Sequence, residues 1–324
     1  MGQNHLRIYA MLKNVELVGL VEPVEERAKA AAEKYRCRVF AGIEDLVGIV
    51  DAVSVAAPSC VHAEIAAFLL DNGIHCLVEK PLATTEADCL ALISTAEKSG
   101  ARLLVGHVER FNPAVRRLSE IMNGGHRIYA MDVRRMSWAS ARINDMDVVT
   151  DLMVHDLDVV LSLVANPVSD VSAHGINILG SEGTDHVVAT LSFCNGILAT
   201  LTASRITQNR IRELTATTDI GHIHLDYGRQ ELAIYRGPDL APPRLLSPEP
   251  GGTVFDYAME RVLVRSTEPL MAELQHFVDV VKGEQELLVT GWDALQALRV
   301  AWRINEATSE QMPQATDVAS VTLP

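Results

Sequence analysis

Apolar residues in the first 107 positions come in short continuous runs, separated by stretches at helical spacing. The runs at 15–21 (VELVGLV), 53–57, 75–78 and 102–105 have the length of strands buried on both faces. Helices are predicted at 25–35, which is rich in alanine, at 61–70, which stops at Asn72-Gly73, and at 85–98, which stops at Gly100. Asn and Gly suit those stops because a helix commonly ends on a left-handed residue. Strands alternating with helices of this length predict a doubly wound α/β unit, a parallel sheet covered on both sides.

After Asn112-Pro113 the pattern changes. One helical stretch, 147–163, precedes a series of short strand-like runs at 187–193, 196–203, 212–217, 222–227 and 231–235. Asn195-Gly196 joins two of them as a hairpin turn, and consecutive strands with tight turns predict an antiparallel sheet. Pro242-Pro243 and residues 248–252 mark an exposed loop, and helical spacing returns at 270–281 and 293–307. The division expected is a dinucleotide-binding domain at 1–111 and an α+β domain at 112–324. A chain of 324 residues is long enough for two domains, since single cores stop growing near roughly 250–300 residues.

The formal net charge of −14 repels nucleic acids and anionic membranes, so neither is expected as a partner. The five cysteines are an odd number without a C-x-x-C pair, and several sit in apolar stretches and read as small buried thiols of a reducing compartment. No apolar run has the roughly 18 residues of a membrane helix, and a cytoplasmic protein is expected.

A dinucleotide-binding fold opens with a strand, a G-x-G-x-x-G turn into a helix, and an acidic residue about 20 positions on. Here Glu22 closes the run at 15–21, residues 5–12 read as the helix, and Gly2 sits where the last glycine belongs. The expectation is that the first strand and two glycines precede Met1, which removes the centre of the sheet; the bland alternative is that Met1-Gly2 is an ordinary start and Glu22 a strand-end charge. Glu22 would accept from the ribose hydroxyls of NAD and repel the extra phosphate of NADP.

Two further groups carry chemistry. Glu79-Lys80-Pro81 closes the run at 75–78, and ligands in open α/β sheets bind outside the carboxyl ends of strands. A lysine there can donate to a substrate oxygen; the bland alternative is a surface lysine beside a turn proline. In DLMVHDLD, Asp151 and His155 share a helix face, with Asp147 and Asp158 one turn to either side. A carboxylate that orients an imidazole suits general acid–base work. A metal site and a solvated charged face are the rivals. His222 and His224 alternate on a strand, and His62 opens a helix after Pro58-Ser59. Arg134-Arg135, Arg205 and Arg210–Arg212 could meet a diphosphate, and Gly251-Gly252 reads as a plain loop.

In order along nearly the whole chain, Pro58 with His62, Glu79-Lys80-Pro81, the stretch Gly106 to Pro113, Asp151 to His155, Pro269 to Phe277 and Val289 to Asp293 resemble one family. It is the Gfo/Idh/MocA family of glucose-fructose oxidoreductases and inositol dehydrogenases. The resemblance implies a Rossmann domain followed by a domain with a large, mostly antiparallel sheet used for substrate binding and oligomerisation. It also implies a homodimer or homotetramer, an NAD cofactor, and Lys80, Asp151 and His155 as the catalytic group. Gly2, Glu22, Ala57, Pro58, His62, Glu79 and Lys80 would follow the cofactor, while Arg110 and Asn112 would be substrate or hinge residues. Residues 148–158, 201–205 and 225–227 are similar to the branch that oxidises UDP-N-acetylglucosamine at its 3-hydroxyl.

The function expected is therefore NAD-dependent oxidation of a ring hydroxyl of a sugar or nucleotide sugar to a ketone. Two alternatives stay open: a hydrolase or dehydratase acting through a transient keto sugar, and a truncated, non-catalytic sugar-nucleotide-binding homologue.

Overall fold

The computed structural model describes residues 1–138, 147–179, 183–237 and 258–309. The chain forms two compact units, one of Met1–Phe111 with Thr267–Gln296, the other of Asn112–Ser266 with the chain from Ala297 on. The loop expected around Pro242-Pro243 and Pro248, with Gly251-Gly252, lies outside the described residues.

The first unit runs α1 (Gly2–Tyr9), β1 (Gly19–Val21), α2 (Glu25–Tyr35), β2 (Arg38–Phe40), β3 (Ala52–Val55), α3 (His62–Asp71), β4 (His75–Glu79), α4 (Glu86–Ser99) and β5 (Leu103–Gly106). Every strand pair is parallel. Cys76, Leu77 and Val78 of β4 are fully buried, as a strand covered on both faces requires. The ends of α4 follow their sequence signals. Thr85 Oγ1 accepts from the Asp88 N–H at 3.1 Å, and Gly100 takes the left-handed conformation at φ 74°.

The strands fall into two groups, β1-β2 and β3-β4-β5, and no described strand joins them. Only Val21 and its two predecessors form β1, although the apolar run begins at Val15. Gly19 is required there, because a Cβ would sit 2.4 Å from the Arg38 carbonyl oxygen of the neighbouring strand. Cys76 and Cys89 are the buried thiols expected, and burial pushes them up to about 12 and about 11. Cys60 and Cys194 are exposed.

The second unit opens with α5 (Pro113–Asn123), β6 (Ile128–Trp138), a π-helical turn at Val149–Met153 and α6 (Val154–Val164). It continues through β7 (Val168–Ile176), β8 (His186–Phe193), β9 (Leu198–Ser204), β10 (Ile206–Thr218), β11 (Gly221–Asp226), β12 (Glu231–Arg236) and β13 (Ala258–Val262). These strands make one sheet in the order β13-β12-β11-β10-β6-β9-β8-β7. All neighbours are antiparallel except β6 and β9, which run parallel. Alternation sets its two faces: Val187, Ala189, Leu191, Ala199, Leu201 and Ala203 are buried, while Thr190, Thr200 and Thr202 are half-exposed. The Asn195-Gly196 turn closes the β8–β9 hairpin, with Gly196 at φ 85°.

The chain ends its described part with α7 (Pro269–Val281) and α8 (Gly291–Ser309). The sequence division gives everything after Asn112 to the second domain, whereas Thr267–Gln296 packs with the first unit. The reason is apolar: α7 buries Leu270, Leu274, Phe277 and Val280, and its His276 ring lies 5.2 Å from that of Phe111. Arg7 of α1 pairs with Glu268 at the head of α7.

Candidate active site

In the first unit the carboxyl ends of the parallel strands carry Glu22, Ala57-Pro58, Glu79-Lys80-Pro81 and Gly106-His107. Lys80 follows β4 directly and is half-buried, and its peptide bond to Pro81 is cis. Gly2 opens α1, whose first turn holds no acidic residue and whose N-terminus has no side-chain cap. Glu22 leaves β1 with its Oε1 accepting from the Val24 N–H at 3.0 Å.

Two residues expected along the cofactor have other partners. His62 is 1% exposed, with Nδ1 2.8 Å from the Pro81 carbonyl and Nε2 2.9 Å from the Ala57 carbonyl. The ring stands between the main-chain carbonyls at two strand ends, and a neutral imidazole donates to one of them. Glu79 is buried and turned onto α1, where His5 Nε2 lies 2.8 Å from its Oε1. Gly106 leaves the room for this, since a Cβ there would stand 3.1 Å from Glu79 Cα.

The two junction residues expected to touch substrate or act as a hinge are also occupied. Asn112 is 1% exposed; its Oδ1 caps α5 by accepting from the Ala114 N–H at 3.1 Å, and its Nδ2 donates to the Tyr227 carbonyl at 3.0 Å. It caps the helix with its oxygen and ties α5 to the Tyr227 main chain with its nitrogen. Arg110 Nη2 donates to the Leu288 carbonyl at 3.1 Å.

In the second unit, Asp151 lies in the π-helical turn and His155 in the first turn of α6, both half-buried. The i,i+4 spacing that suggested the pair belongs to a regular α-helix, and here Asp151 lies in a π turn with His155 just beyond it. The wide turn itself was not anticipated; π turns inside helices gather at functional sites because they re-aim side chains. Asp147 serves the backbone at the start of the helix. Its Oδ1 accepts from the Val149 and Thr150 N–H groups at 2.9 Å each, which caps the helix start. Asp158 is buried, on the core side of α6.

Of the arginines expected to meet a diphosphate, Arg135 and Arg205 are buried in the fold, while Arg134 and Arg210 are exposed. Arg135 of β6 is buried and holds Asp156 of α6 through Nε at 2.7 Å and Nη2 at 2.8 Å, with its guanidinium 5.2 Å from the Tyr227 ring centre. Arg134 Nη2 meets Glu213 at 2.7 Å. Arg205 is buried beside Asp185 at 3.4 Å and donates to the Thr184 carbonyl at 3.0 Å. That carbonyl also accepts from the Val148 N–H at 3.0 Å, immediately before the π turn. The helix carrying Asp151 and His155 is therefore held at its start by Arg205 and Thr184, and along its length by Arg135. None of these ties has a signature in local sequence. His224 Nε2 lies 3.3 Å from Glu213 Oε2, and among the described residues no group of three or more His, Cys, Asp or Glu is arranged to hold a metal.

Residues 1–107 match the model of an oxidoreductase family with an NAD-binding Rossmann fold, and residues 121–224 match the C-terminal domain of the same family. UDP-N-acetylglucosamine 3-dehydrogenase from Acidithiobacillus ferrooxidans is 31% identical over 310 residues, 95% of this chain and 94% of that protein. A solved structure of that enzyme superposes with a TM-score of 0.86 at 28% identity, covering 95% of this chain and 94% of the other. The WlbA dehydrogenase from Bordetella pertussis, solved with NADH and UDP-GlcNAcA, shares the fold with a TM-score of 0.77 at 20% identity, covering 96% and 94%. With family models on both units and a relative aligned end to end, the chain belongs to the Gfo/Idh/MocA family of NAD-binding oxidoreductases.

Proposed function

We propose that this protein is an NAD-dependent dehydrogenase that oxidises a ring hydroxyl of a sugar or nucleotide sugar to a ketone, with the 3-hydroxyl of UDP-N-acetylglucosamine as the specific target. The observation that carries the reading is that Asp151 and His155, four residues apart, are both half-exposed on a helical segment whose start and core face are held by buried arginines. The end-to-end likeness to the Acidithiobacillus enzyme supports the choice of substrate.

The residues present fit a nicotinamide dinucleotide. A carboxylate, Glu22, ends β1 twenty positions after Gly2, and α1 offers a helix N-terminus with no acidic residue in its first turn. Glu22 would hold the adenosine ribose and disfavour the extra phosphate of NADP, and Gly2 would adjoin the pyrophosphate. When bound, NAD supplies a hydride acceptor.

His155 takes the proton of the substrate hydroxyl, and Asp151 orients the imidazole and stabilises its charged form. Lys80 donates to the oxygen as negative charge grows on it, an electrostatic role that matters most where water is excluded. Arg135 and Arg205 stay out of the chemistry and keep the helix of the acid–base pair in place.

The polar, half-exposed face of the second unit's sheet supports assembly as a homodimer or homotetramer. The acidic surface and free cysteines support a cytoplasmic location.

A panel of nucleotide sugars and free polyols with NAD, followed by absorbance of NADH, tests the reading. UDP-N-acetylglucosamine should release NADH and leave a keto sugar. Turnover without net NADH would replace it with a hydrolase or dehydratase that returns the hydride, and no nicotinamide binding at all would leave a non-catalytic homologue.

A further inference from the structure

We propose that His5 and His62 are positioning residues for Lys80, each holding one of its two chain neighbours; the proposal rests on Lys80 being catalytic, as argued above. The residue before Lys80 is Glu79, whose carboxylate lies 2.8 Å from His5 Nε2. The residue after it is Pro81, whose carbonyl lies 2.8 Å from His62 Nδ1. Both histidines are interior groups, 3% and 1% exposed, while Lys80 between their targets is half-exposed.

Each strap is anchored to more of the sheet. His62 Nε2 lies 2.9 Å from the Ala57 carbonyl, so the buried ring stands between the chain after β3 and the chain after β4. The His5 ring meets Tyr9 edge-on with centroids 6.5 Å apart, and the Tyr9 hydroxyl lies 2.7 Å from Ser54 Oγ on β3. Gly106 of β5 leaves room for Glu79, since a Cβ there would stand 3.1 Å from Glu79 Cα. A lysine side chain has four rotatable bonds and finds its place only if its main chain is fixed. Two buried straps on adjacent residues fix it. Catalytic rates are sensitive to such placement, with a displacement of about 1 Å costing on the order of a hundredfold.

Full-length His5→Leu and His62→Leu remove the straps, and His5→Gln and His62→Gln keep an N–H donor of similar reach. The leucine variants should lose roughly tenfold to a hundredfold in kcat with KM for the sugar nucleotide changed by less than about threefold, and the glutamine variants should recover most of the loss. A second measurement needs no turnover: the rate at which an amine-acylating reagent modifies Lys80, read by peptide mass spectrometry, should change in the leucine variants and return in the glutamine ones. If His5→Leu does not fold, Glu79→Ala, which removes the grip from the other end, carries the test for that strap; if His62→Leu does not fold, His62→Phe, which keeps a ring without a donor, carries it for the other. Folded strap-deficient variants with unchanged kcat and unchanged Lys80 acylation would overturn the proposal. Lys80→Met separates the two levels. If it stays active the catalytic assignment falls, whereas if it is inactive and strap loss is harmless, only the straps fall.

Discussion

Arg135 grips Asp156 with two hydrogen bonds, at 2.7 and 2.8 Å, and Asp156 is the residue next to His155. Both side chains are almost fully buried, at 4% and 3% exposure. A bidentate guanidinium–carboxylate pair fixes direction as well as distance, so the helix bearing His155 is set on the sheet in both.

Breaking that pair from one side should be costly. Arg135→Met strands a buried carboxylate, and a loss of about 3–5 kcal/mol is expected by urea unfolding. The double variant Arg135→Met with Asp156→Leu should be less destabilised than Arg135→Met alone, because no unpaired charge remains. Equal loss in both variants would show that packing, not charge pairing, dominates here.

His155→Ala should lower kcat by about a hundredfold to ten-thousandfold, the usual contribution of general acid–base catalysis, while NAD affinity by titration is retained. Asp151→Asn should show a smaller fall. If His155→Ala turns over at the wild-type rate, the base lies elsewhere.

Glu22→Ser should weaken NAD binding and improve NADP use, since it removes both an acceptor for ribose hydroxyls and a charge that repels phosphate. The measurement is the ratio of kcat/KM for the two cofactors. An unchanged ratio would remove Glu22 from the cofactor site.

Thiol chemistry should follow burial. Cys60 and Cys194 are exposed and should react first with a thiol reagent, whereas Cys76 and Cys89 should react only on unfolding. Burial holds the Cys76 thiol at about 12, against an ordinary 9.0, by penalising the thiolate. Its pKa is raised in the folded state, so its contribution to stability is complete below pH 9.0 and declines as pH rises toward 12. Cys76→Ala should flatten that alkaline decline in a pH series of unfolding midpoints.

The elements legible in sequence were those whose pattern is local. Helix α4 was readable because Thr85, the apolar spacing and Gly100 all agree, and β8 and β9 because alternation meets Asn195-Gly196. Strand β2 has three residues, too few for any period to register. In β6 the pair Arg134-Arg135 breaks the apolar alternation, and Arg135 is tolerated inside only because Asp156 arrives from 21 residues away. The same holds at the site. Asp151, His155 and Lys80 stand out by type and spacing, but His5 finds Glu79 across 74 residues, a relationship no window can contain. The spacing rule assumes a regular helix, so the π turn at Val149–Met153 was invisible to it. The packing of α7 with the first unit was hidden for a similar reason, since an apolar helix face does not name its partner.

The parallel pairing of β6 with β9 imposes an order of assembly on the second unit. Asp132 and Thr200, joined at 2.6 Å, are 68 residues apart, and between them the chain makes α6 and the two far strands β7 and β8. Such long-range closure is slow, because loop entropy is lost before any contact rewards it. A ribosome must deliver β9 before β6 has its parallel neighbour, so the helix of the acid–base pair waits on a hairpin translated after it.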